Sequence, residues 1–225
     1  MCSGRMGNTL KSKMEPMVRH QCMIYEGSPA YYLPALAASI RQKLGEHYRC
    51  LYLNSPPMVA GLRSYLFAKG VDVPREVLKG SLVLSSGDGH LLNGAFDIDR
   101  MLDSLNHAVS QALTEGYQGL WATGDMSWEF GPNKDFSKLL EYEWGLEELF
   151  EKHQCLSGVC QYHMDTLPRE IVRQGLLTHQ EIFVNETLSR LNSHYVRRES
   201  FATPFQVTTD LDHTIDRLSK SHGHA

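Results

Sequence analysis

The richest chemistry in this chain sits in Thr123-Gly-Asp-Met-Ser-Trp-Glu129, where an apolar run ends in an acid, an indole and a second acid. A buried strand that ends in a carboxylate is how nucleotide hydrolases hold magnesium, provided that a phosphate completes the metal's shell. Asp125 and Glu129 are also placed to join His163 around a metal, or to accept hydrogen bonds from a ligand against an apolar wall from Trp128. A structural role competes with both, Asp125 capping the turn and Trp128 filling core. The phosphate partner is what the chain lacks. Tyr25-Glu-Gly-Ser-Pro-Ala30 stands where a GxxxxGK[ST] loop would grip a nucleotide, and it has one glycine and no lysine. Glu26 would repel a triphosphate, and Pro29 has no amide to donate.

Eleven histidines invite a metal reading. His20, His163 and His179 fall near strand or helix ends facing a cleft, but without recognised ligand spacing, and His222-Gly-His224 is isolated. The expectation is therefore no resident metal and no cofactor. There is no GxSxG elbow and no Ser, His, Asp order, so the chain is not expected to be an enzyme. Gly87-Asp-Gly89 reads as a tight turn. The five cysteines are odd in number and include no CxxC pair, which suits small, reduced, buried side chains.

Composition narrows the partners. The 225 residues carry a formal charge of -4, with 42% hydrophobic and 21% charged residues, so nothing attracts a nucleic acid. No apolar run approaches the roughly 20 residues of a membrane span, and Met1 to Arg19 contain no apolar signal core. A cytoplasmic protein is expected.

The elements that must position these residues alternate in period. Apolar strand-like runs at 21–25, 49–53, 82–85, 119–123, 156–162 and 182–184 are separated by helical patterns at 34–44, 58–69, 97–115 and 135–153, and by one after Pro168. Asp97 is the N-cap of the third helix, whose apolar positions Ile98, Met101, Leu105 and Val109 define one buried face. Such alternation predicts an α/β fold with a mainly parallel β-sheet and helices on both faces, a three-layer sandwich. In such a sheet ligands bind beyond the carboxyl ends of the strands. Residues 1–18 read as a disordered lead-in, 19–198 as the domain, and 199–225 as a polar, frayed tail. Within that tail a short helix from Asp210 to Ser219 offers Leu211, Ile215 and Leu218 as a docking stripe for a partner or a second subunit.

Several segments taken in order resemble the MEDS domain, a methanogen and methylotroph sensory domain described from a dichloromethane-responsive regulator. They include His20-Gln-Cys-Met-Ile-Tyr-Glu26, Asn93-Gly-Ala-Phe-Asp97, Gly124-Asp-Met-Ser-Trp128, Glu141-Tyr-Glu143, Cys160-Gln-Tyr162 and Leu177-Thr-His179. The resemblance implies a recA-like fold that lacks the Walker A loop. It also implies the sensing of small molecules, proposed to be hydrocarbon derivatives, with output through a partner such as a histidine kinase or transcription regulator. Asp125 stands where the family more often has Glu, and His163 where it has Asp. On this reading the ligand contacts are His20, Tyr25, Glu26, Asp125, Trp128, Glu129, Gln161 and His163. The protein would be a stand-alone sensory domain, possible as a homo-oligomer, with a metal-dependent hydrolase or a degenerate nucleotide-binding scaffold as the alternatives.

Overall fold

Strands that are apolar on both faces need cover on both sides, and the computed structural model supplies it. The structure describes residues 19–202 and 204–221. The lead-in expected at 1–18 and the His222-Gly-His224 motif lie outside them. The chain runs β1 (His20–Tyr25), α1 (Leu33–Gly45), β2 (Arg49–Leu53), α2 (Pro56–Ala68), α3 (Val73–Leu78) and β3 (Leu82–Ser85). A small hairpin, β4 (Leu91–Leu92) and β5 (Ala95–Phe96), leads to α4 (Ile98–Thr114), β6 (Leu120–Asp125) and α5 (Met126–Glu129). Then come α6 (Leu139–Lys152), β7 (Leu156–His163), α7 (Arg169–Thr178), β8 (Glu181–Asn185), β9 (Leu188–Leu191) and α8 (Thr209–Ser221).

Among the described residues the main sheet has the order β3-β2-β6-β7-β1-β8-β9, parallel except where β9 returns along β8. Alternation along each strand sorts side chains between two cores. Met23 and Tyr25 of β1, Trp121 of β6 and Val159 of β7 pack under α1 and α2. Cys22 and Ile24, Leu120, and Cys160 and Tyr162 face the opposite way, under α4, α6, α7 and α8. The expected three-layer α/β sandwich is the fold observed. Asp97 caps α4 as its position predicts, accepting from the Arg100 amide.

Three local expectations change. Val73–Leu78 forms α3, which a six-residue amphipathic run is too short to announce. The helix expected from Asp135 begins only at Leu139, because the Asp135 side chain caps a separate 3₁₀ turn, Phe136–Lys138. The tail is not frayed within the described residues: Thr209–Ser221 is helical, and its stripe Leu211, Ile215 and Leu218 is buried in the protein's own core rather than offered to a partner. The reason is charge as well as apolar area. Asp212 accepts from both Arg169 and Arg173 of α7, at 3.2 and 2.9 Å, and Asp216 pairs with Arg169 at 2.8 Å. The domain therefore extends past residue 198.

Ile215 has no exposed surface. Ile215→Ala should destabilise the chain by about 2–4 kcal/mol in urea unfolding, the usual range for emptying such a site. A stability within about 0.5 kcal/mol of wild type would mean that α8 is not part of the cooperative fold.

Candidate functional site

The sheet's carboxyl edge gathers four of the residues nominated from sequence. Tyr25, Asp125 and His163 end adjacent strands and Gln161 lies two residues before His163, with Tyr25 in register with His163 and Asp125 with Gln161. All four follow the side-chain phase of the α1/α2 face. The Tyr25 hydroxyl donates to Asp125 Oδ2 at 2.8 Å, and its ring stacks on His163 with centroids 4.6 Å apart. Asp125 Oδ1 takes the Trp128 amide at 3.0 Å and the Ser127 hydroxyl at 2.5 Å, so the acid is the N-cap of α5. Gln161 Nε2 donates to Thr123 Oγ1, while its Oε1 is buried without a partner. Burial, and the nearby Asp125 charge, push the Tyr25 phenol well up, which keeps it a donor. This is a closed cluster more than an open cleft, and it leaves Gln161 Oε1 and His163 Nε2 buried without hydrogen-bond partners.

The other four nominated residues go elsewhere. Glu26 bends toward α8, accepting from the Ser219 hydroxyl at 3.0 Å while its amide donates to the Ser219 carbonyl at 3.3 Å. The loop that cannot grip phosphate is thus held by the C-terminal helix. Trp128 lies against His90, ring centroids 5.0 Å apart, and His90 Nε2 pairs with the Glu129 carbonyl at 2.9 Å. Glu129 turns to the opposite face of the sheet from Asp125, where the Tyr142 hydroxyl donates to its Oε2 at 2.9 Å. Gly124 makes that possible, since any Cβ there would collide with the Glu129 carboxylate. Asp125, Glu129 and His163 consequently do not surround a common point.

His20 is the clearest correction. It opens β1, at the opposite end from Tyr25, and it points into the α6/α7 core, with Phe150 stacked on its ring and His179 tilted against it. Its Nδ1 lies 2.9 Å from Glu147 Oε2 and its Nε2 3.4 Å from Glu143 Oε2. Burial alone would lower the imidazole, but the two glutamates outweigh it and raise it to about 9. Burial likewise opposes ionisation of Glu143, yet the charged His20 and the Tyr162 hydroxyl hold its carboxyl below the usual range. Among the described residues the side chains close enough to share a metal ion are His20, Glu143, Cys160 and His179. Sequence reading missed Glu143 because α6 is rich in acids, although the phase Leu139, Tyr142, Glu143, Leu146 puts it on the buried face.

Fold and edge together define a three-layer α/β domain whose first strand-to-helix loop is tied to α8. Residues 19–180 match the family model described as MEDS, methanogen/methylotroph, DcmR sensory domain. The chain belongs to this family, and its role is accordingly a sensory one. No curated protein matches it.

Burial pushes the Glu129 carboxyl up to about 8, against the Tyr142 hydrogen bond, whereas an unfolded chain releases that proton near 4.5. A raised carboxyl withholds stability as pH climbs between those values. Glu129→Gln keeps the acceptor for Tyr142, so it should leave the melting temperature near pH 4.5 little changed and raise it by roughly 5 °C at pH 8. A difference between the two proteins that does not grow with pH would contradict the assignment.

Proposed function

We propose that this sensory domain binds a small, partly apolar molecule in the groove between α4 and the β2–β3 side of the sheet, and signals its occupancy to a partner protein. The observation behind this reading is the groove itself. α4 leans on β6 and α6 and leaves β2 and β3 partly uncovered on that face, opening a space of about 530 Å³. Leu51, Val83, Met101, Leu105 and Ala108 supply apolar wall, while His90 and Ser85 bring polar atoms to it. That mixture and size are those of small-molecule sites, which run from roughly 300 to 1,000 Å³. The affinity for hydrocarbon derivatives that the family resemblance implies suits such a lining.

Signalling requires that the ligand favour one of two arrangements. His90 offers a route, because it reaches from the groove to the Glu129 carbonyl and the Trp128 ring, both on α5. The same α5 is capped by Asp125, which holds Tyr25 beside His163. In this reading the strand-end cluster is the relay and the groove is the receptor. A histidine kinase or a transcription regulator is the kind of partner that would receive the output.

A thermal-shift screen of the full chain against short alcohols, amines, ketones and halogenated hydrocarbons should find stabilising compounds. Ala108→Phe, which fills the groove, should abolish their effect while leaving the unliganded melt within a few degrees of wild type. Compounds that stabilise Ala108→Phe as strongly as wild type, or a panel that stabilises neither, would count against this site.

A further inference from the structure

We propose that His20, Glu143, Cys160 and His179 form a closed, four-coordinate site for a divalent transition metal of zinc's type, independent of the groove. The four come from β1, α6, β7 and the α7–β8 junction, more than a hundred residues apart at the extremes, and each is buried: 5%, 0%, 7% and 0% exposed. One ligand atom of each lies within 4.8 Å of every other. Glu143 Oε2 is 3.4 Å from His20 Nε2, 3.4 Å from His179 Nε2 and 4.0 Å from Cys160 Sγ, which is 3.5 Å from His20 Nε2. A zinc tetrahedron with ordinary bond lengths has edges of about 3.3 Å between nitrogen or oxygen ligands and about 3.6 Å from either to sulfur. Three of the six donor distances therefore already match a coordination shell, the Glu143–Cys160 distance is a few tenths of an ångström long, and the other two lie within 4.8 Å.

The surrounding groups complete the pattern. A histidine that ligates a metal through one ring nitrogen usually donates from the other to a carboxylate or carbonyl. His20 Nδ1 meets Glu147 Oε2 at 2.9 Å, and His179 Nδ1 meets the Gly175 carbonyl at 2.7 Å. Glu143 Oε1 takes the Tyr162 hydroxyl, whose ring lies where a Cβ on Gly175 would otherwise project. All three ligands that need orienting are oriented.

One conflict is left, and a cation resolves it. A carbonyl can only accept, so the proton of His179 is on Nδ1. Its Nε2 is then a bare lone pair, fully buried, without a hydrogen-bond partner, and aimed at the Glu143 carboxylate. Two acceptors facing each other in a dry interior are destabilising. A divalent ion between them would satisfy both, and with a Cys160 thiolate and a Glu143 carboxylate the site would be neutral overall. Two imidazoles, a thiolate and a carboxylate suit zinc or its neighbours better than magnesium or calcium. Four protein ligands leave no open position, so the ion would clamp α6 and the α7–β8 junction to the sheet and would not activate a water. A cleft of about 300 Å³ lies beside the site, with Glu147, which meets His20 Nδ1, and Thr178, the neighbour of His179, in its wall.

The test is a titration of the full chain, stripped with chelator, first with zinc chloride and then with cobalt chloride. One equivalent of zinc should bind and raise the melting temperature by roughly 5 °C or more. Cobalt should give the ligand-field bands of a tetrahedral ion and a thiolate-to-cobalt charge-transfer band. Cys160→Ala should lose that band and weaken zinc binding about a hundredfold or more, and Glu147→Gln should weaken it about 10- to 100-fold. His222→Ala/His224→Ala should bind as wild type does. Absence of saturable uptake, a cobalt spectrum without the thiolate band, or a folded Cys160→Ala that binds like wild type would overturn the site and leave a metal-free ion-pair cluster. Should Cys160→Ala fail to fold, the wild-type titrations and Glu147→Gln decide on their own.

Discussion

A carboxylate cannot stay charged in a protein interior without partners, and Glu143 is fully buried in the middle of α6. Much of this fold can be understood as meeting that demand. β1 delivers His20 at its first residue, β7 delivers Cys160 and Tyr162, and the end of α7 delivers His179. These come from two central strands and one helix end, so α6 is fixed in rotation and height by polar contacts as well as by Leu139, Tyr142, Leu146 and Phe150. A shift of α6 by one residue would bury the charge with nothing to answer it. Apolar packing tolerates small slips; this arrangement does not.

What the chain declares in one dimension is its alternation. The runs at 49–53 and 82–85 are strands with those bounds, and Asp97 starts α4 as a cap should. The layers follow, because buried parallel strands separated by helices have few other ways to pack. The errors have physical causes. α8 reads as a polar tail because only Leu211, Ile215 and Leu218 are apolar, and the arginines of α7 that neutralise its acids are far away in sequence. α3 is shorter than the window in which a helical period can be seen.

The candidate site was half legible. Tyr25, Asp125, Gln161 and His163 come together because parallel strands bring their carboxyl ends to one edge, a rule that needs no coordinates. Glu129 was harder to place. Only three residues separate it from Asp125, but the turn of α5 and the bare Cα of Gly124 carry it through the sheet's edge to the other side. His20 was grouped with the strand-end residues although it stands at the start of the first strand, and nothing in the apolar run beside it says that its side chain turns into the opposite core. Its partners, Glu143, Cys160 and His179, are remote in sequence, and the spacing between them carries no local signature.

The bond pair between Glu26 and Ser219 gives α8 a mechanical meaning. The helix rests on β1 along its length and meets the loop after that strand near its final turn. That loop also donates the Gly27 amide to Asp165, whose carboxylate lies 3.3 Å from Nε2 of the His163 ring that stacks on Tyr25. Two hydrogen bonds therefore tie the final turn of α8 to the edge where six parallel strands finish. The loop after β1 cannot swing away from that edge without breaking one of those bonds or carrying the end of α8 with it.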